Sequence, residues 1–237
     1  MAIIAFDSVS KAYQKKTVLH DFSLVVESGQ RVVILGPSGC GKTTVLRLLA
    51  GFIAPDTGSI SIDGHVVAAA GKILQAPEGR HLGMVFQDLA LWPHLTVEGN
   101  LEFGLKAQGI PRPQRAQRIT EMLQMVEMDA YLRSRPAELS GGQQQRIALA
   151  RALVLQPKAL LMDEPLSNLD EELSQHLRVE LLRLYERLGF TLIYVTHDRA
   201  EASDIATNIV CMRHGRIERS VPIEEFKIGQ RPCLPMP

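Results

Sequence analysis

Hydrophobic and polar positions change their period several times along this chain. Residues 2–9 and 22–27 are rich in Ile, Val and Phe and are bounded by turn-forming residues, which predicts strands. Residues 31–35, RVVIL, are a short continuous apolar run that suits a strand buried on both faces of a sheet. A helix is expected over 42–50, stopped near Gly51. Residues 58–63 and 82–87 read as further strands.

From about 96 to 152 the period lengthens to that of helices, with Pro111 and Pro113 as a break. Leu, Met and Ile recur at helical spacing from Ile119 to Met128, and a helix is expected over about 143–155. Residues 159–162 return to a continuous apolar strand. Leu173, Leu177, Leu181, Leu184 and Leu188 follow at steps of 4, 4, 3 and 4, one stripe whose expected role is core packing. Strands over 190–195 and 207–212 come last, and 229–237, GQRPCLPMP, is expected to be disordered.

The 237 residues suffice for one large α/β domain or two small ones. Twenty-six basic residues cancel twenty-six acidic ones, so no net basic field recommends nucleic acid. Cys40, Cys211 and Cys233 are odd in number and irregularly spaced, matching neither a disulfide framework nor a metal site, and a reducing compartment is expected. No apolar run approaches the ~18–20 residues of a membrane span. The start, MAIIAFDSVSKAY, lacks the pattern of a signal peptide.

Candidate chemistry begins with Gly36-Pro37-Ser38-Gly39-Cys40-Gly41-Lys42-Thr43, the spacing of a phosphate loop between a predicted strand and a predicted helix. Glycines let backbone N–H groups turn inward around a phosphate, and the helix N-terminus adds donors and partial positive charge. Lys42 is expected to reach the β- and γ-phosphates of a nucleoside triphosphate, the Thr43 hydroxyl to hold Mg²⁺, and Thr44 to bond near the α-phosphate. The strand at 159–162 ends in Asp163 and Glu164. Asp163 is placed to bind Mg²⁺ and Glu164 to act as general base on a water. Ser140-Gly141-Gly142-Gln143 opens a helix, with Ser140 as its N-cap and two glycines that would let N–H groups approach an anion.

The phosphate loop, then LSGGQQQR at 139–146, then MDEP, in this order, resemble the ATP-binding cassette family over residues 1 to about 220. The resemblance implies an α/β fold, a P-loop NTPase with an antiparallel β subdomain, a RecA-like core sheet and an inserted helical subdomain. It implies one cassette, with the β subdomain and core at about 1–87 and 156–228, the helical subdomain at about 88–155 and a flexible tail at 229–237. In the family, LSGGQ meets the γ-phosphate held by a second, facing subunit. Ser140, Gly141, Gly142 and Gln143 are thereby expected to complete an ATP site in a head-to-tail dimer, expected to be a homodimer. Ser167-Asn168-Leu169-Asp170 resembles the loop that crosses between the two sites. Gln87 matches the glutamine that senses Mg²⁺ and the lytic water, and the loop after it is implied to touch a membrane subunit. His197 matches the switch histidine that contacts the γ-phosphate. Tyr13 matches the aromatic that stacks on adenine, although Gln14 follows where the family often has Gly, and a core aromatic is the alternative.

ELSGGQQQRIALARAL and AGFIAPDTGSISIDG resemble bacterial solute importers, and PEGRHLGMVFQDLALWPHLTV the branch for ferric iron, polyamines and anions. Ser134-Arg135-Pro136-Ala137-Glu138 stands where exporter cassettes carry TxxGExG. The C-terminal regulatory barrel of many members of this branch is not expected here. The resemblance thus implies ATP and Mg²⁺ as cofactors and an ATP hydrolase that energises import through separate integral membrane permease subunits. A substrate-binding protein would contact the permease. The chain would be peripheral on the cytoplasmic face of the inner or plasma membrane. A soluble cassette ATPase without a transport role and an efflux ATPase are the alternatives.

Overall fold

The computed structural model describes residues 2–14, 16–167 and 169–228. The chain opens with β1 (Ala2–Tyr13), β2 (Lys16–Glu27), β3 (Arg31–Leu35) and α1 (Lys42–Ala50). There follow β4 (Thr57–Ile62), β5 (His65–Ala69), β6 (Lys72–Ile73) and β7 (Leu82–Val85). Helices α2 (Val97–Ala107), α3 (Arg112–Met125) and α4 (Gly141–Leu153) precede β8 (Ala159–Asp163) and α5 (Glu171–Leu188). The last elements are β9 (Thr191–Thr196), α6 (Arg199–Ile205), β10 (Asn208–Arg213), β11 (Arg216–Pro222) and α7 (Ile223–Ile228). Among the described residues, those up to Leu82 and from Phe190 onward form one compact unit, and Gly83–Gly189 form another.

In the first unit an antiparallel sheet runs in the order β2-β1-β4-β5-β6. Its inner face is set by period-2 alternation: Phe22, Leu24 and Val26 of β2 are buried, while Ser23 and Val25 between them are exposed. Phe6 of β1 sits opposite Leu24 on one side and Ile60 on the other, and meets the Phe22 ring edge-on at 5.3 Å. Strand β2 begins at Lys16, six residues before the span read from the sequence, because Asp21 takes a positive φ of 50° and the register with β1 shifts between Phe6 and Val9. That irregularity breaks the alternation on which the reading relied.

The same unit holds parallel strands. β3 pairs with β10 on one side and β9 on the other, and β11 pairs antiparallel with β10. Val32, Val33, Ile34 and Leu35 are fully buried, as the continuous apolar run predicts. Strand β11 has an alternating, largely exposed pattern of charged residues, RIERSVP, which explains why its sequence carries little strand signal.

Arg80 fastens this unit. It is 1% exposed. Its Nη1 donates to the carbonyls of Leu48 at 3.0 Å and Leu49 at 2.7 Å, near the C-terminal end of α1. Nη2 donates to Val67 O of β5 at 3.1 Å, and Nε to Gln75 O at 3.0 Å. A cation at a helix C-terminus also offsets the negative end of the helix dipole. Desolvation pulls the guanidinium pKa below its ordinary value. Arg80→Met is expected to cost at least about 3 kcal/mol of stability, because it strands buried carbonyls without donors. A lowered urea midpoint at unchanged slope checks this.

In the second unit Thr96 caps α2, its hydroxyl accepting from Gly99 N at 3.1 Å, and Pro111 stands at the start of α3. The break between α2 and α3 therefore falls at Pro111, whereas Pro113 lies in the first turn of α3. Every residue of β8 is buried. Of the leucine stripe on α5, Leu177, Leu181 and Leu184 are buried, whereas Leu188 in the last turn is 37% exposed. The expected helix over 143–155 begins at Gly141 and ends at Leu153. The tail at 229–237 lies outside the described residues.

Candidate functional site

Two groups of candidate residues assemble, one in each unit. In the first unit the loop after β3 and the turn after β9 leave adjacent strand ends: Leu35 pairs with Thr196, and Gly36 N donates to Thr196 O at 3.4 Å. His197 follows directly and is exposed. Asp198 then caps α6, accepting from Ala200 N at 2.6 Å and Glu201 N at 3.0 Å, which fixes the backbone just after His197.

The loop itself is tightly wound. A methyl group at Gly36 would lie 2.3 Å from the Met212 carbonyl oxygen, so only glycine fits there. Gly41 adopts φ 110° at the N-cap position, and no side chain caps α1. Lys42 is 4% exposed, and its Nζ donates to Gly36 O at 2.8 Å and Pro37 O at 3.1 Å, bending back over the loop. Thr44 and Cys40 are buried, Thr43 and Pro37 half-buried, and Ser38 and Gly39 exposed.

Tyr13 is 41% exposed beside the β1–β2 turn, with Lys11 Nζ 6.0 Å from its ring centroid. An aromatic so exposed is not part of a core, which removes the alternative reading of this residue.

In the second unit Asp163 ends β8 and is 6% exposed. Glu164 follows with φ 44°, a left-handed conformation that non-glycine residues adopt rarely and usually under local constraint. Ser167 supplies that constraint: its N–H and its hydroxyl both donate to Glu164 O, at 3.3 and 3.0 Å. Gln87 Nε2 in turn donates to Ser167 Oγ at 3.4 Å, so Gln87, Ser167 and Glu164 are brought together. The sequence assigned Ser167 only to a loop; its link to Gln87, eighty residues away, carries no sequence signal. Asn168 lies outside the described residues.

Ser140 caps α4 in a reciprocal box: its hydroxyl accepts from Gln143 N at 3.4 Å and Gln143 Oε1 accepts from Ser140 N at 2.9 Å. Gly141 is exposed, and among the described residues a methyl there would touch Leu169 alone, at 3.6 Å. Gly142 is buried, and a methyl there would press on Leu173 of α5 at 3.0 Å. One of the two glycines thus has a packing reason that the motif alone does not reveal.

The loop after Gln87 is braced from α2 and α4. Leu89 and Ala90 have positive φ, and their carbonyls accept from Arg151 at 2.8 and 2.5 Å. The Arg151 guanidinium also lies 5.1 Å from the Trp92 ring, and Trp92 contacts Phe103 at 4.5 Å. Fully buried Asn100 holds Trp92: its Oδ1 accepts from Trp92 N at 2.9 Å and its Nδ2 donates to Trp92 O at 3.2 Å. Phe103 is 56% exposed, leaving an aromatic face on the surface.

Comparison with known proteins agrees with this geometry. The family model described as ABC transporter matches residues 19–167. A spermidine/putrescine import ATP-binding protein of Pasteurella multocida is 47% identical, covering 92% of this chain and 57% of its own length. An Fe(3+) ions import ATP-binding protein of Haemophilus influenzae is 44% identical, covering 94% and 66%. An sn-glycerol-3-phosphate import ATP-binding protein of Rhizobium johnstonii is 45% identical, covering 95% and 60%. The chain therefore spans about three fifths of the length of such relatives. A solved dimer of the ATP-binding cassette MJ0796 in a post-hydrolysis state, bound to ADP and Pi, superposes with a TM-score of 0.81 at 31% identity, covering 93% of this chain and 99% of that one. With the family model matching well over half of its residues and relatives this similar along nearly all of it, the chain belongs to the ABC transporter family.

Proposed function

We propose that the chain binds ATP with Mg²⁺, hydrolyses it at the interface of a head-to-tail dimer, and so energises solute import through a separate membrane permease. The observation that carries this reading is the wound loop at 36–43, with Lys42 folded over it and an uncapped helix N-terminus behind it. That arrangement suits a polyphosphate, because it offers backbone donors and a cation in dry surroundings.

Each residue has a role in this scheme. Lys42 neutralises the β- and γ-phosphates, and Gly36, Pro37, Ser38, Gly39, Cys40, Gly41, Thr43 and Thr44 line them. Tyr13 offers its exposed ring to the adenine. Glu164 accepts a proton from the attacking water, while Gln87 orients that water and His197 contacts the γ-phosphate. Ser140, Gly141, Gly142 and Gln143 serve the nucleotide of the facing subunit. Among the described residues no group of three His, Cys, Asp or Glu is gathered as a metal cage. A hydroxyl from Thr43 and a carboxylate from Asp163, beside phosphate oxygens, are hard donors of the kind Mg²⁺ takes, and Mg²⁺ would offset charge on the leaving phosphate.

The surface pair Trp92 and Phe103, braced by Arg151 and Asn100, supports a protein partner at this face, which we assign to the permease. Among the described residues no helix is long and apolar enough to cross a membrane, so the pore is assigned to other chains. The chain would then sit at the cytoplasmic face of the membrane, with a substrate-binding protein acting on the permease. Three relatives named as import subunits favour import over efflux. The test is affinity capture from detergent-solubilised membranes with ATP present, using a tagged chain that carries Glu164→Gln. A polytopic membrane protein is expected in the eluate. Recovery of soluble partners alone, with the chain missing from the membrane fraction, would favour a soluble ATPase instead.

A further inference from the structure

We propose that Ser167 is a positioning residue that couples the Gln87 loop to the aim of the Glu164 carboxylate. The inference deepens the reading above and rests on Glu164 as the base. It starts from backbone geometry. Glu164 follows a fully buried strand but turns into the left-handed region at φ 44°. A glutamate has no intrinsic preference for that conformation, so something must hold it. The backbone at Glu164 fixes the direction of its Cα–Cβ bond and restricts the rotamers open to the side chain. Whatever holds the backbone therefore sets the base from which the carboxylate reaches.

Ser167 makes two bonds to the same acceptor, the Glu164 carbonyl, through its N–H at 3.3 Å and its hydroxyl at 3.0 Å. Having given its proton to that carbonyl, the hydroxyl can only accept from Gln87, and Gln87 Nε2 stands 3.4 Å away as donor. The bonds run in one direction, from the Gln87 amide through the Ser167 hydroxyl to the Glu164 carbonyl, so each polarises the next.

The other end of this chain reaches the surface. Two residues beyond Gln87, the carbonyls of Leu89 and Ala90 are gripped by Arg151, which also covers Trp92. Trp92 packs at a tilt against exposed Phe103. A push on the aromatic face is thus carried by the Arg151 grip into the loop that bears Gln87. Through Ser167 it bears on the backbone of the base. Ser167 touches no substrate in this scheme. It sets how well Glu164 is aimed, and a misplacement of the order of 1 Å can cost up to about 10²-fold in rate.

The test compares the whole chain with Ser167→Ala, Ser167→Thr, Gln87→Ala and the Ser167→Ala/Gln87→Ala pair, measuring ATP turnover and ATP affinity. Ser167→Ala is expected to lower kcat about tenfold with ATP affinity within about twofold of the parent, and Ser167→Thr to restore most of the turnover. The paired variant should lose no more than the worse single variant, since one path is broken twice. Losses that multiply would overturn the coupling. A Ser167→Ala loss confined to ATP affinity would reduce Ser167 to a structural residue and overturn the proposal. Glu164→Gln run alongside separates the two levels. If it is inactive while Ser167→Ala turns over normally, only this inference falls. If Glu164→Gln turns over normally, the assignment of the base has failed first.

Discussion

Glu164→Gln is expected to slow ATP hydrolysis by roughly 10²–10⁴-fold while leaving ATP binding intact. The amide has the size and shape of the carboxylate, and the backbone bonds from Ser167 to Glu164 O do not involve the side chain. The strained turn at φ 44° should therefore survive the substitution. What is lost is the acceptor for the proton of the attacking water. Because ATP then persists, the γ-phosphate continues to bridge the two subunits, and the protein should accumulate as a dimer. Turnover measured beside sedimentation at saturating ATP checks both halves. Normal turnover would move the base elsewhere, and a strictly monomeric species would count against a site shared between subunits.

Lys42→Ala should weaken ATP binding on the order of 10²-fold and remove detectable hydrolysis. The ammonium is nearly sealed from water and is held by the carbonyls of Gly36 and Pro37. In such surroundings a charge-assisted hydrogen bond to phosphate contributes about 1.5–3 kcal/mol, and each 1.4 kcal/mol is about tenfold in affinity. The substitution also releases the loop carbonyls, so the donors that line the loop lose their fixed aim. Calorimetric titration with ATP and a turnover assay measure the two effects separately. Unimpaired turnover would remove the phosphate-loop assignment.

The parts of this protein that were legible in its sequence are those whose chemistry is local. The loop at 36–43 needs glycine at Gly41 for a local reason, its φ of 110°, and the motif's spacing states it; Gly36 is required as well by the carbonyl of distant Met212. The buried strands β3 and β8 announce themselves as unbroken apolar runs ending at functional positions. Ser140 marks a helix start by the bond its hydroxyl accepts, and Pro111 by its fixed φ and missing N–H. What the sequence hid depends on partners far along the chain. Arg80 reads as a surface charge until α1 and β5 supply its carbonyl acceptors. The first half of β2 was concealed by the turn at Asp21, and β11 by its charged, half-exposed face. Ser167 gave no sign that it joins Gln87 to Glu164, because residue type alone does not reveal which carbonyl a hydroxyl will reach.

The unequal surroundings of Gly141 and Gly142 bear on how alleles of the LSGGQ segment should be interpreted. A methyl group at Gly142 would lie 3.0 Å from the end of the Leu173 side chain, so Leu173 on α5 must give by a few tenths of an ångström to admit an alanine. Gly141 has open space, and its alanine variant touches Leu169 only at ordinary contact distance. Two adjacent, chemically identical substitutions thus report on different surroundings: the one at 142 on the packing against α5, the one at 141 on what approaches the helix from outside.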